Sequence, residues 1–249
     1  MLFTNRRRRG TLRGELALVL PLRDSPAVRR RPWVNWTLIA LNLAVFLLEV
    51  GSPATGQWLV GNFALRPTAL LSPAAWAATG GWPLVTLFTS AFLHGSWGHV
   101  LGNMLYLWIF GDNMEDRLGH GRYLVFYALC IGLANLAHAV ANPTSPVPTI
   151  GASGAVAGVL GGYILSFPRA RVLALVPIGA FVPAVRVPAW VFLGLWFLVQ
   201  LASGLAPIWL HDLTQTVAFW AHINGFLSGV ALAQLLAPRR EEVRNRGEQ

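Results

Sequence analysis

Residues 151–166 read Gly-Ala-Ser-Gly-Ala-Val-Ala-Gly-Val-Leu-Gly-Gly-Tyr-Ile-Leu-Ser, with Ser153 framed by Gly151 and Gly154. Whether this stretch crosses a membrane decides the topology. It is short and rich in glycine, but Pro148 and Pro168 bound it and it carries few charges. A helix needs roughly 20 mostly apolar residues to cross the hydrocarbon core. Counted as a span over about 152–167, this stretch is the fourth of six. The others lie at about 34–50, 96–114, 122–141, 188–206 and 217–237. Six spans return both termini to the same side. The expected fold is therefore an all-α polytopic membrane protein, a bundle of six helices.

Composition and charge test that reading. The chain has 249 residues, 55% hydrophobic and 12% charged, where a soluble globular chain carries about 25% charged residues. That shortfall excludes an ordinary soluble enzyme and a disordered chain. All 19 basic residues are arginine, and the net charge is +9. A pI near 11.3 on its own suggests nucleic acid as a partner, but the hydrophobicity contradicts it. The six spans put eighteen arginines on one side and Arg66 alone on the other. Lys and Arg accumulate in cytoplasmic loops, so both termini are expected inside. Residues 1–32 read as a basic cytoplasmic arm near anionic headgroups, 33–237 as the six-span domain, and 238–249 as a basic cytoplasmic tail. The arm lacks the apolar run of a secretory signal. The lysine-free basic set suits a GC-rich genome and a bacterial cell membrane. Of the loops only 51–95 is long. Its Trp58, Phe63, Trp76 and Trp82 suit a membrane–water interface.

Polar groups inside spans are costly and point to function. Spans two, four and six all run from outside to inside, so their first turns lie at one depth. Span two opens with His94 and His99, then Asn103; span four with Gly151-Ala152-Ser153-Gly154; span six with Ala221-His222-Ile223-Asn224-Gly225. A serine hydroxyl is a weak nucleophile until a base takes its proton, and histidine is the usual base. Gly154 and Gly158 have GxxxG spacing, as do Gly225 and Gly229, and such faces let helices approach closely. If they pack together, His222 and Ser153 come within hydrogen-bonding distance. Backbone N–H groups at a helix start lack partners and could serve an oxyanion beside the hydroxyl. His99 and Asn103, four apart on one helix face, carry further donors. His94 and His99 have no third metal ligand and no HExxH motif occurs, so no metal is expected. Asn135 and His138 read as structural or supporting groups. His120 and His211 have no clear role. Glu49 and Asp212 lie outside the spans' interior, so a Ser-His dyad fits better than a triad.

At these residues the sequence resembles the rhomboid family of intramembrane serine proteases. The resemblance runs over about 33–237. It rests on His94-Gly-Ser-Trp-Gly-His99-Val-Leu-Gly-Asn103, Gly111-Asp-Asn-Met-Glu115-Asp-Arg117-Leu-Gly119, Gly151-Ala-Ser-Gly154, and Ala221-His222-Ile-Asn-Gly225 with Gly229. It implies Ser153 as nucleophile, His222 as general base, and oxyanion donors from His99, Asn103 and the Ser153 backbone, with Gly151, Gly154, Gly225, Gly229 and His94 in support. It implies no cofactor, a cavity open to the outside, a membrane-lying loop before span two, and side-on entry of a transmembrane substrate. Glu115 and Arg117 are implied to be structural, and a surface ion pair is nearly the same claim.

The chain departs from the family pattern at two places. Trp82-Pro83 stands where many members have Trp-Arg. Ala157 stands where many have an aromatic that stacks on the catalytic histidine, and Tyr163 lies too far along to replace it. Trp220 or Phe219 could position His222 instead, and Pro143 to Pro148 could shape the cavity rim. Two other functions compete. An inactive family member that escorts membrane clients would be expected to lack the serine or the histidine. A small transporter would carry polar residues along a path through the membrane, whereas here the inner halves of the spans read as apolar.

Overall fold

The computed structural model describes residues 20–177, 181–210 and 218–238. Most of the basic arm, His211, Asp212 and the tail from 239 lie outside the described residues. The chain enters as strand β1 (Leu20–Asp24) and then forms α1 (Trp33–Gly51). Four short helices follow within the long loop: α2 (Pro53–Phe63), α3 (Pro67–Leu70), α4 (Pro73–Thr79) and α5 (Trp82–Thr89). Each has proline in its first turn, where the missing N–H costs nothing. Ser52 and Ser72 cap α2 and α4 through their hydroxyl oxygens.

The remaining helices are α6 (Trp97–Tyr106), α7 (Asp112–Leu118), α8 (His120–Ala141), α9 (Ser153–Ser166), α10 (Ala189–Leu210) and α11 (Phe219–Leu235). Each of the six segments read from the sequence thus coincides with a helical stretch. A π turn, Leu107–Gly111, joins α6 to α7. There Asn35 of α1 donates its side-chain amide to the Leu107 carbonyl at 2.9 Å, a side chain inserted into the helix ladder. Among the described residues, three helices are long and apolar enough to cross a membrane: Trp33–Gly51, His120–Ala141 and Ala189–Ala206.

The sequence predicts an all-α chain, and the structure departs from it. Strands β2 (Arg171–Leu175) and β3 (Ala184–Pro188) join β1 in an antiparallel sheet of order β1-β2-β3. Each strand has only five residues, too few for alternation to register. β1 pairs with a partner far along the chain, Leu20 with Leu175 and Asp24 with Val172. Residues 20–24, read as part of a basic arm, are therefore built into the folded unit.

The core centres on α9, whose residues 154–163 are all buried. A helix apolar on every side belongs inside a bundle, and α11, α8, α6 and α10 surround this one. Gly158 and Gly229 set the closest approach: a methyl on Gly229 would overlap the Gly158 carbonyl oxygen, and one on Gly225 would overlap that of Gly154. The GxxxG faces expected to meet do meet. Leu65, Leu70, Leu87 and Ala139 form a separate small cluster that seats the 53–89 helices on α8.

The end of the bundle away from Ser153 is more polar than the sequence suggests. Asn35 and Asn42 are fully buried on α1, and Glu115 is buried beneath them. Glu115 accepts from the backbone N–H of Val34 (3.0 Å) and Asn35 (2.7 Å) and pairs with His120. Arg117 is exposed, and no Glu115–Arg117 ion pair forms among the described residues. The acid instead caps the start of α1, where amides lack intrahelical partners.

Candidate active site

Ser153 opens α9 two residues after Gly151, whose φ of +120° is a conformation that favours glycine. A methyl at Gly151 would lie 2.7 Å from the His99 ring, so this glycine also makes room for that imidazole. Position 153 in the first turn leaves its backbone N–H without an intrahelical acceptor. His222 sits one turn into α11. The glycine contacts beneath hold α9 and α11 backbone to backbone, and His222 Nε2 lies 2.7 Å from Ser153 Oγ. This is the distance of a strong hydrogen bond.

His99 and Asn103 lie on one face of α6, and both line the same cavity as Ser153 and His222. Ser96 caps α6, its hydroxyl accepting from the His99 N–H at 3.2 Å. Asn103 Nδ2 lies 3.1 Å from His94 Nε2, and the Ala152 N–H points to the same nitrogen at 3.4 Å. His94 is thereby a buried post between α6 and the turn before Ser153. The backbone N–H of His94 donates to Glu49 Oε2 at 2.9 Å, so the acid at the end of α1 serves the His94 backbone and not His222.

The cavity has a volume of about 940 Å³. Pro143 and Pro148, within the segment that joins α8 to α9, are among the residues that line it. His138 Nε2 meets Thr149 Oγ1 at 3.1 Å, and Leu65 pairs with Thr149 backbone to backbone. His138 therefore holds this segment and also faces the cavity. Asn135 donates to the Leu87 carbonyl at 2.7 Å and to Ser90 Oγ at 3.1 Å, tying α8 to the helices before α6.

Two residues on α10 complete the surroundings of His222, and neither was singled out in the sequence. Gln200 Oε1 lies 2.8 Å from His222 Nδ1. Trp196, four residues earlier on the same face, has its ring 6.2 Å from the imidazole at an interplanar angle of 36°. Phe219 approaches edge-on at 6.2 Å, as one of the two expected aromatics. Ala157 is fully buried, and its Cβ would lie 3.4 Å from a methyl placed on Gly225. The small residue at 157 thus belongs to the α9–α11 contact, and the aromatic beside the histidine comes from α10. The rule that polar groups in apolar helices are costly flags Gln200, had it been applied to span five as to spans two, four and six. Tyr163 reaches the opposite end, where its hydroxyl donates to Asp24 at 2.6 Å.

Residues 81–239 match the rhomboid domain. The chain is 31% identical over 169 residues to the mitochondrial Rhomboid protein 1 of Saccharomyces cerevisiae, covering 65% of this chain and 44% of that one. It is 31% identical over 135 residues to the rhomboid protease GluP of Bacillus subtilis, covering 54% of this chain and 24% of that protein. Against the rhomboid protease GlpG of Klebsiella pneumoniae identity is 26% over 202 residues, covering 80% of this chain and 61% of the relative. The chain thus spans about half the length, or less, of the first of these relatives. The matched domain takes in α5 to α11, and with its long apolar helices the protein is an integral membrane protein. Domain match, motif order and helical bundle agree: the chain belongs to the rhomboid family.

Proposed function

We propose that this protein is an intramembrane serine endopeptidase that cleaves transmembrane or juxtamembrane segments of other membrane proteins. The carrying observation is the 2.7 Å pairing of Ser153 Oγ with His222 Nε2 at the wall of a cavity large enough for an extended peptide. In this reading His222 takes the hydroxyl proton as Ser153 Oγ attacks the scissile carbonyl carbon. Negative charge then develops on the carbonyl oxygen. The Ser153 N–H, Asn103 and His99 are the donors at hand to stabilise it. The imidazolium passes its proton to the leaving amine, and an acyl-enzyme remains. Water enters, gives a proton to His222, and its oxygen releases the acyl group. No cofactor takes part.

The six helical segments are read as six spans with both termini cytoplasmic and the Ser153 end outward. The six-span domain over 33–237 and the basic tail over 238–249 are proposed as read from the sequence, whereas the 1–32 arm gives its residues 20–24 to the folded sheet. The arginine distribution supports this topology, and a bacterial cell membrane is the proposed location. A substrate helix must unwind locally, because helical hydrogen bonds hide its carbonyls. The proposed partners are transmembrane protein substrates and the bilayer that delivers them.

The test is cleavage of a single-span reporter in liposomes by wild type, Ser153→Ala and His222→Ala at equal protein. Cleavage by wild type and its loss in both variants is expected. Full activity in either variant would sink the assignment. A fluorophosphonate probe should label the wild type and leave Ser153→Ala unlabelled.

A further inference from the structure

We propose that Gln200 is a positioning residue for the general base, a third member that sets the tautomer of His222. This rests on the Ser153–His222 reading above and adds a residue to it. The amide oxygen of Gln200 lies 2.8 Å from His222 Nδ1. A carbonyl oxygen only accepts, so Nδ1 carries the ring proton. Nε2 then presents its lone pair to the Ser153 hydroxyl at 2.7 Å. That is the only neutral tautomer that can take the serine proton. With the other tautomer, Nε2–H would donate to Ser153 Oγ and have no lone pair to take its proton, while the Nδ1 lone pair would face the Gln200 oxygen.

Aromatic rings from α10 and α11 flank the imidazole. Trp196, one turn before Gln200, covers the imidazole from one side, and Phe219 meets it edge-on at 85°. Thus α10 supplies the hydrogen bond and one of the two aromatic neighbours, while position 157 supplies neither. An uncharged amide suits this place: a carboxylate in an apolar helix would carry a large desolvation cost, whereas an amide orients the ring without it. The orienting role is that of the buried acid in a serine protease triad, which fixes the tautomer and does not itself react. The titratable groups that face His222 across the cavity are His99 on α6 and His138 on α8.

The experiment compares wild type, Gln200→Leu and Gln200→Glu as purified proteins in liposomes. It reads kcat and KM on a single-span reporter, the rate of fluorophosphonate labelling at Ser153, and the pH profile of kcat. Leucine removes the acceptor at similar size. It should lower kcat and the labelling rate together by about tenfold or more, with KM little changed. Glutamate keeps the acceptor and adds charge, which favours imidazolium. Cleavage should survive at alkaline pH, with the acid limb moved upward by roughly one unit or more. A side chain at 200 that does not reach Nδ1 would leave that limb in place, and a purely structural role for the amide would leave kcat and labelling in Gln200→Leu unchanged at equal stability. Wild-type kcat and labelling in Gln200→Leu overturn the proposal, and so does an unmoved acid limb in Gln200→Glu. If the leucine variant misfolds, the glutamate profile decides. Absence of Ser153-dependent labelling in the wild type removes the dyad itself, and is thereby distinguished from a failure of Gln200 alone.

Discussion

Gly229 of α11 rests on the carbonyl of Gly158 of α9, with no room between them for a single methyl group. His222 stands two turns earlier on α11, and its distance to Ser153 depends on this approach. Gly225→Ala or Gly229→Ala should therefore separate the dyad. The obstacle is backbone, which cannot swing aside as a side chain can. A cost of about 1–3 kcal/mol is expected, seen as a lower melting temperature and loss of fluorophosphonate labelling. Gly61→Ala, where a methyl would meet nothing within 4 Å, should leave both unchanged.

Gly151 combines a φ of +120° with the His99 ring 2.7 Å from any added methyl. Gly151→Ala should strain the turn that presents Ser153 and push the imidazole away. A penalty on the order of 1–3 kcal/mol corresponds to roughly tenfold or more in rate. Steady-state cleavage against the thermal melt separates the two effects: kcat should fall further than stability does.

Asn103 is held by His94 and faces the cavity. If its amide donates to the oxyanion, Asn103→Ala should lower kcat by about 10²–10³-fold with KM little altered. A variant with wild-type kcat would exclude Asn103 from the reaction. His94→Ala should show a smaller loss of the same kind, because it removes the post and not the donor.

Glu115 caps α1 through the amides of Val34 and Asn35 at the end away from Ser153. Glu115→Gln removes the charge at nearly constant size and should cost about 1–3 kcal/mol of stability. The pH profile of cleavage should keep its shape, since the dyad lies at the other end of the bundle. A shifted profile would tie this end to the chemistry.

Asp24 ends β1 and accepts from Tyr163 (2.6 Å) and Asn113 (2.8 Å). Burial pushes its carboxyl up from 3.8 to about 6, against the smaller opposing effect of the Tyr163 hydrogen bond. A carboxyl whose folded pKa is raised stabilises the docked strand fully below its unfolded value, and that contribution is lost as pH rises through about 6. A spin label at exposed Leu22 should therefore gain mobility between about pH 4 and about pH 8. In Asp24→Asn, which keeps an acceptor but cannot ionise, the change should vanish.

Much of the site was legible because its parts are local. Ser153 with its glycines, the paired GxxxG faces, and His99 with Asn103 one turn apart are short patterns in single helices. Their shared depth follows from the direction of each span alone. Gln200 and Trp196 escaped because one polar residue in an apolar helix carries no marker of which neighbour it faces. Glu115 was seen, but its partner was misread. A Glu and an Arg two apart suggest a surface pair, and the burial that sends the carboxylate to the start of α1 is not local. The sheet was missed for a related reason, since β1 is defined by a partner some 150 residues away.

By itself the sequence determined where the six longer helical segments lie, that the chain is a membrane protein of the rhomboid family, and which glycines allow close packing. Apolar length, charge asymmetry and residue spacing are properties of contiguous segments. Only the tertiary structure decided which side chains meet: Gln200 on the far nitrogen of His222, Glu115 on the amides of α1, and Asp24 under Tyr163. Those pairings depend on how each helix is rotated about its axis and how far it slides along its neighbour. Packing sets both quantities, and a hydrophobic pattern that runs all round a helix leaves them open.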